Sequence, residues 1–262
     1  MTADHFVRKY VANGCCPCDL LIVEEASQIN AYLWSSIVKC KMLGAAVVCL
    51  GDFRQLDAVQ DRWAGCELSD GALEASDMLH DLCDGRRVRF LENKRSDPPL
   101  FKFVTGIWEM CLEKALEWAR ADFPTLPGNA DWTLCLSHAC RIRANELMLE
   151  SLGSEVRHDS MLGDGPARVF QGMRLVGSAA PFKKGQIYSL TSVAPWKVDE
   201  RLVSEAALKS LKAAYALTIS SCQGRTLKGS VRILEGDHPR FGLKHLYVAA
   251  SRACAAKDLQ VA

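Results

Sequence analysis

Leu20-Leu21-Ile22-Val23-Glu24-Glu25-Ala26-Ser27-Gln28 decides how this chain is read. Four consecutive apolar residues, two of them β-branched, predict a short strand buried on both faces. Two carboxylates then stand where that strand runs out. In open parallel sheets, ligands bind beyond the carboxyl ends of the strands. Acidic groups at such an end can hold Mg²⁺ and orient a water on a nucleotide phosphate. The plainer alternative is a strand that ends in two solvated acids.

Working outward, residues 31–43 carry Leu33, Ile37, Val38 and Met42 at the spacing of an amphipathic helix, and Gly44 fits its stop. Ala46-Val47-Val48-Cys49-Leu50 repeats the buried-strand pattern and runs into Gly51-Asp52-Phe53-Arg54-Gln55-Leu56. Strand, helix, strand, with acidic and amide groups at both strand ends, is the layout of a nucleotide-binding α/β layer. Gly51 lets the chain turn sharply. Gln55 offers an amide that can bond a phosphate oxygen or an attacking water without adding charge. An ordinary surface Gly-Asp turn is the alternative.

A length of 262 residues suggests one large domain or two small ones. The net charge of +1 supplies no bulk field toward nucleic acid, so any such site must be a local groove. No apolar run is long enough for a transmembrane helix, and the first eight residues lack a hydrophobic signal core. Most of the 12 cysteines lie in apolar segments, as Cys49, Cys83, Cys111 and Cys135 do. Free thiols in an intracellular reducing compartment, cytoplasm or nucleus, explain that simply. Two clusters are candidate metal ligands: Cys15-Cys16-Pro17-Cys18, and Cys135 with His138 and Cys140. Neither shows paired C-x₂-C knuckles.

Five segments together resemble the motifs of superfamily 1 helicases, with the RecD-like and viral branch nearest. Residues 21–28 resemble the Walker B motif, and residues 50–56 motif III. Leu91-Glu92-Asn93-Lys94-Arg95-Ser96 resembles motif IV, and Tyr215-Ala-Leu-Thr-Ile-Ser-Ser-Cys-Gln-Gly-Arg-Thr226 motif V. Leu246-Tyr-Val-Ala-Ala-Ser-Arg-Ala253 resembles motif VI. The resemblance implies an α/β fold of two RecA-like domains of the P-loop NTPase kind, the first truncated, with ATP and Mg²⁺ between them and single-stranded DNA or RNA as partner. It divides the chain into 1–90 and 91–262, with an SH3-like β insertion near 166–200. Glu24 would hold Mg²⁺, and Glu25 would orient or deprotonate the water. Gln55, Arg95 and Arg252 would act on the γ-phosphate, with Arg252 as the arginine finger. Gly51, Asp52, Gln223 and Gly224 would line the nucleotide site. Thr218, Ser220, Thr226 and His138 would face nucleic acid. No membrane contact follows, and a larger replication, repair or viral complex is compatible.

The chain departs from that family in three ways. No GxxxxGK[ST] phosphate loop occurs, which places that loop upstream of Met1 or loses it. The usual Asp-Glu pair is Glu24-Glu25, which moves the metal-facing carboxylate by one methylene. Motif V carries Ser220 where histidine is usual. A catalytically degenerate binding remnant and the motor subunit of a nuclease complex are the competing readings.

Elsewhere the patterns predict a helix at 5–11, a strand at 88–91 and one long amphipathic helix over 98–121. Trp108 and Trp118 lie on that helix as core fillers or base stackers. A strand at 132–136 and a helix at 141–152 follow. Segments 173–177 and 186–193 read as an antiparallel hairpin with Lys183 and Lys184 at its turn, near enough to touch phosphates or simply solvated. A short helix or lid at 204–213, strands at 215–219, 231–234 and 259–261, and a helix over 243–255 complete the reading.

Overall fold

The computed structural model describes residues 1–58, 62–63, 66–67, 71–152 and 158–262. The chain forms two compact units, Met1–Lys94 and Arg95–Ala262.

The first unit runs α1 (Ala3–Lys9), β1 (Leu20–Val23), α2 (Ala31–Met42), β2 (Ala46–Cys49), a short antiparallel pair β3 (Arg62–Trp63) and β4 (Cys66–Glu67), then α3 (Asp77–Leu82). β1 and β2 pair in parallel from Leu20↔Ala46 to Val23↔Cys49, so the two strands end side by side. α2 starts where the Asn30 side chain accepts the Leu33 N–H at 2.9 Å. It buries Trp34 and Ile37 against Val23, Val47 and Leu82. Lys41 then donates to the Leu82 carbonyl at 3.1 Å and to Asp84 at 2.5 Å, which ties α2 to the end of α3.

Two expectations need correction here. β1 is not buried on both faces: Leu20 is 52% and Ile22 56% exposed. Apolar cover lies on one face of the β1–β2 pair only, the face that carries Val23 and Val47. Residues 88–91 form no strand, and Val88, Phe90 and Leu91 stand exposed. A β-prone run needs a neighbouring strand for its ladder, and this one has none among the described residues.

The second unit is built on a four-stranded parallel sheet in the order β13-β5-β14-β15, from β5 (Trp132–Cys135), β13 (Ala216–Thr218), β14 (Val231–Ile233) and β15 (Leu259–Val261). Its helices are α4 (Pro98–Gly106), α5 (Leu112–Asp122), α6 (His138–Ser151) and α7 (Leu243–Ala250). The helix expected over 98–121 is therefore two, with a 3₁₀ turn at Ile107–Glu109 between them. The chain folds back so that Trp118 lies on Gly106, where a Cβ would come within 3.0 Å of the indole. Phe103 meets Trp118 edge-on at 5.0 Å, and Trp108 meets Tyr247 at 5.5 Å. Both tryptophans are packing residues in this arrangement.

Between α6 and β13 the chain leaves the parallel sheet. It makes the hairpin β6 (His158–Leu162) and β7 (Gly165–Val169). A five-stranded antiparallel sheet follows, ordered β11-β10-β9-β8-β12, from β8 (Arg174–Gly177), β9 (Ile187–Val193), β10 (Trp196–Val198), β11 (Arg201–Leu202) and β12 (Leu211–Ala213). The insertion thus extends beyond 166–200 at both ends. The helix expected at 204–213 is a 3₁₀ turn, Glu205–Ser210, followed by strand β12. Met173, Leu175, Leu190, Leu208 and Leu211 are fully buried in its core.

Two polar devices anchor α6, one to β13 of the parallel sheet and the other to the insertion. Asn145, 4% exposed on α6, donates to the Ala216 carbonyl at 3.0 Å and accepts the N–H groups of Tyr215 and Ala216 at 3.0 and 2.9 Å. Asp164 in the β6–β7 turn takes Arg141 in a fork at 2.7 and 2.8 Å and Lys212 at 2.9 Å. Burial raises the Asp164 pKa, but the bonds from Arg141 and Lys212 outweigh it and hold the carboxyl below its ordinary value. A lowered folded-state pKa gives stability that is present above about pH 4 and is lost as pH falls through the folded value. Asp164→Asn should therefore destabilise by about 3 kcal/mol at pH 7 and by less at pH 3. Urea unfolding at both pH values checks this, and an equal loss at both would refute it.

Candidate functional site

Parallel pairing brings two polar strand ends together in the first unit. The Leu50 N–H donates to the Val23 carbonyl at 2.8 Å, and the Ala26 N–H returns to the Leu50 carbonyl at 3.0 Å. A Cβ on Gly51 would lie 2.9 Å from both the Cβ and the N of Ala26. Only glycine permits that approach, so Gly51 fixes the distance between the Glu24-Glu25 turn and the loop at 51–56. Glu24 is exposed and Glu25 half-buried. Glu25 sits in the left-handed region at φ 52°, ψ 48°, and heads a 3₁₀ turn at Ala26–Gln28. Its carboxylate accepts from Gln28 at 3.3 Å. Asp52 caps its own turn by accepting the Arg54 N–H at 3.0 Å, and the Gln55 N–H donates to the Asp52 carbonyl at 3.0 Å. Glu24, Glu25 and Asp52 are hard oxygen donors of the kind Mg²⁺ takes, with the Gln55 amide on the same loop as Asp52.

The second unit gathers the remaining residues around one buried cation. Arg252 is 1% exposed, just beyond α7, which ends at Ala250 rather than near 255. Its Nε donates to the Val248 carbonyl at 2.9 Å, one Nη to the Arg225 carbonyl at 3.0 Å and the other to Ser251 Oγ at 2.7 Å. The Leu227 N–H donates back to the Arg252 carbonyl at 3.0 Å. Arg252 is thus a clamp between α7 and the turn at 223–226. Arg95 is exposed at the start of the unit. It lies two positions before Asp97, whose N–H donates to the Cys254 carbonyl at 3.1 Å and whose carboxylate accepts the Ala256 N–H. The segments of Arg95 and Arg252, far apart in sequence, are therefore neighbours in the fold.

At the carboxyl edge of the parallel sheet, Thr218 is buried and its Oγ1 accepts the Ser221 N–H at 3.3 Å. Ser220, Gly224 and Thr226 are exposed, and Gln223 is half-buried. Gly224 has φ 74°, which bends the turn outward. Beside it, burial pushes the Cys222 thiol up to about 12, against the opposing pull of Arg252 and Arg225. Arg225 donates to the Gly185 carbonyl, which joins this turn to the hairpin tip that displays exposed Lys183 and Lys184. His138 is exposed on the first turn of α6, behind the N-cap Ser137. Reading by motif had found these positions singly. Arg225, which the motif includes without a role of its own, offers both a carbonyl to Arg252 and a guanidinium to the hairpin. No helix among the described residues is long and apolar enough to cross a membrane.

No protein-family model and no curated protein sequence matches the chain. Its fold is similar to solved Pif1 helicases, which are superfamily 1 enzymes. The Pif1 helicase of Candida albicans aligns with a TM-score of 0.65 at 16% identity, over 100% of this chain and 76% of that one. Bacteroides Pif1 in complex with ADP-AlF3 and single-stranded DNA aligns at 0.61 and 16%, over 94% and 70%. Bacteroides Pif1 bound to single-stranded DNA gives 0.61 and 16%, over 100% and 73%. At these identities the likeness is one of fold: an α/β arrangement whose parallel sheet matches the RecA-like domains of those helicases.

The Arg252 clamp carries a stability prediction. Arg252→Lys keeps the charge, yet a single ammonium cannot span the acceptors on Val248, Arg225 and Ser251. The variant should lose about 3 kcal/mol, read as a lower urea midpoint with unchanged slope. A wild-type midpoint would show that the guanidinium holds nothing together.

Proposed function

We propose that this chain carries the Walker B to motif VI portion of a superfamily 1 motor that couples ATP hydrolysis to movement on single-stranded nucleic acid. The observation that carries the proposal is the pairing of two polar strand ends: Glu24-Glu25 against Gly51-Asp52, locked by the contact of Gly51 with Ala26. A fold shared along the whole chain with a Pif1 helicase supports it. Solved relatives in complex with ADP-AlF3 and single-stranded DNA favour ATP and DNA as the ligands. By resemblance, the small antiparallel insertion is the SH3-like element of the second RecA-like domain.

The roles follow from the chemistry of each group. Glu24 would hold Mg²⁺, which when bound would neutralise phosphate charge. Glu25 orients and deprotonates the attacking water, its backbone held out from the strand by the left-handed turn. Asp52 supports the metal side, and Gln55 bonds a phosphate oxygen or that water. Arg95, exposed, meets the γ-phosphate. Arg252 holds the turn at 223–226, and with it the backbone of Gln223 and Gly224, in register. It reaches a phosphate only if its bonds to Val248 and Arg225 break. Thr218, Ser220, Thr226 and His138, with Lys183 and Lys184, grip the nucleic-acid backbone.

The chain has no GxxxxGK[ST] loop to cradle β- and γ-phosphates. It should therefore bind a fluorescent ATP analogue no more tightly than roughly 100 µM, since the loop's amides and lysine supply much of nucleotide affinity. Low-micromolar, Mg²⁺-dependent binding would reveal a phosphate site of another kind and overturn this account. In a longer chain that supplies the loop ahead of Met1, Glu25→Gln should keep ATP bound and slow single-turnover hydrolysis, with single-stranded DNA present, by roughly 10²-fold or more. An unchanged rate would remove Glu25 from the mechanism.

A further inference from the structure

Apart from the strand-end carboxylates, two thiols and a carboxylate meet at the carboxyl edge of the second unit's sheet. The Sγ atoms of Cys135 and Cys140 and a carboxylate oxygen of Glu235 all lie within 4.8 Å of one another. We propose that Cys135, Cys140 and Glu235 form a binding site for a thiophilic divalent cation of the zinc class. The inference is independent of the motor reading.

Donor type and placement carry it. Two thiolates and one carboxylate suit Zn²⁺ far better than Mg²⁺ or Ca²⁺, which take oxygen alone. Metal–sulfur bonds near 2.3 Å in a tetrahedron put ligand atoms roughly 3.5–4 Å apart, so small side-chain rotations close the present spacing. The three ligands come from three different places. Cys135 ends β5 and is fully buried, Cys140 lies in the first turn of α6, and Glu235 follows β14. Cys140 and Glu235 are half-buried, which leaves a way in for the ion and for a fourth ligand, a water.

The carboxylate is already aimed. Glu235 accepts the Ser137 N–H at 2.8 Å and the Ser137 Oγ–H at 2.7 Å, while the same Oγ accepts the Cys140 N–H at 3.1 Å. One serine thus orients one ligand and braces the backbone of another, as outer-shell partners of metal sites do. Glu235 is held at φ 63°, a left-handed conformation that is uncommon for glutamate. His138, which the sequence alone suggested as a third ligand, is exposed and is not one of the three. Binding would release the two thiol protons to solvent as the thiolates form. The bound ion would pin the β5–α6 turn to the β14 loop, beside the strand end that carries Thr218.

The test is a Zn²⁺ titration of the full, reduced chain against a chromophoric chelator, repeated with Cd²⁺ to read thiolate-to-metal absorbance. The wild type should take up one more equivalent than Cys135→Ser/Cys140→Ser. Replacing Cys15, Cys16 and Cys18 by serine should leave that equivalent in place. Glu235→Gln keeps the shape and an acceptor for Ser137, and should weaken the site at least tenfold. Wild-type stoichiometry and affinity in the Cys135/Cys140 variant, with its circular dichroism unchanged, would overturn the proposal. So would a reduced wild-type chain that takes up no zinc here and forms a Cys135–Cys140 disulfide on mild oxidation. If the double variant fails to fold, Glu235→Gln alone decides: unchanged zinc affinity refutes the site.

Discussion

A guanidinium that is 1% exposed is tolerable only if its donors find acceptors, and Arg252 finds three. Much of the second unit hangs on that arrangement. Through the Arg225 carbonyl, Arg252 fixes the turn at 223–226. Through the Arg225 side chain, the turn fixes the Gly185 end of the hairpin. Two residues beyond Arg252, the Cys254 carbonyl takes the Asp97 N–H that opens α4. A charge that would be costly alone becomes the joint of α7, the turn at 223–226 and the inserted sheet, because two of its three acceptors are backbone carbonyls that the fold holds in place.

The first unit is governed by sterics instead. Its two strands end together because they pair in register. What lets the two loops beyond the strand ends pack closely is the absent Cβ of Gly51. Any side chain there would separate the loop at 51–56 from Ala26, and so Asp52 and Gln55 from Glu25. The geometry of one loop thus depends on an atom missing from the other.

Patterns of period 2 and 3.6 revealed the parallel strands, α2, and the antiparallel character of the insertion, because each rests on local burial. The order of motifs singles out Arg95, Arg252 and the strand-end acids. What stayed hidden was set by distant partners. The break between α4 and α5 depends on Trp118 seated on Gly106, and one amphipathic stripe runs through both helices without betraying it. The buried state of Arg252 depends on carbonyls of Val248 and Arg225 that no side-chain pattern encodes. The exposure of Leu20 and Ile22 shows that an apolar run reports what a strand can bury, not what covers it. Asn145 is legible least of all, since a polar residue inside a helix reads as surface. Here it serves as an extra strand's worth of hydrogen bonds for β13.

Glu25 and Glu235 share a trait: each is a glutamate just past a parallel strand, held with positive φ. A left-handed backbone costs an L-residue with a Cβ about 1 kcal/mol that glycine would not lose. Selection for thermal stability alone would therefore drift toward glycine at both positions and erase both carboxylates. Glutamate at two such places gives up some backbone stability to keep a carboxylate at a strand end. Consensus-based stabilisation of this protein should leave both untouched.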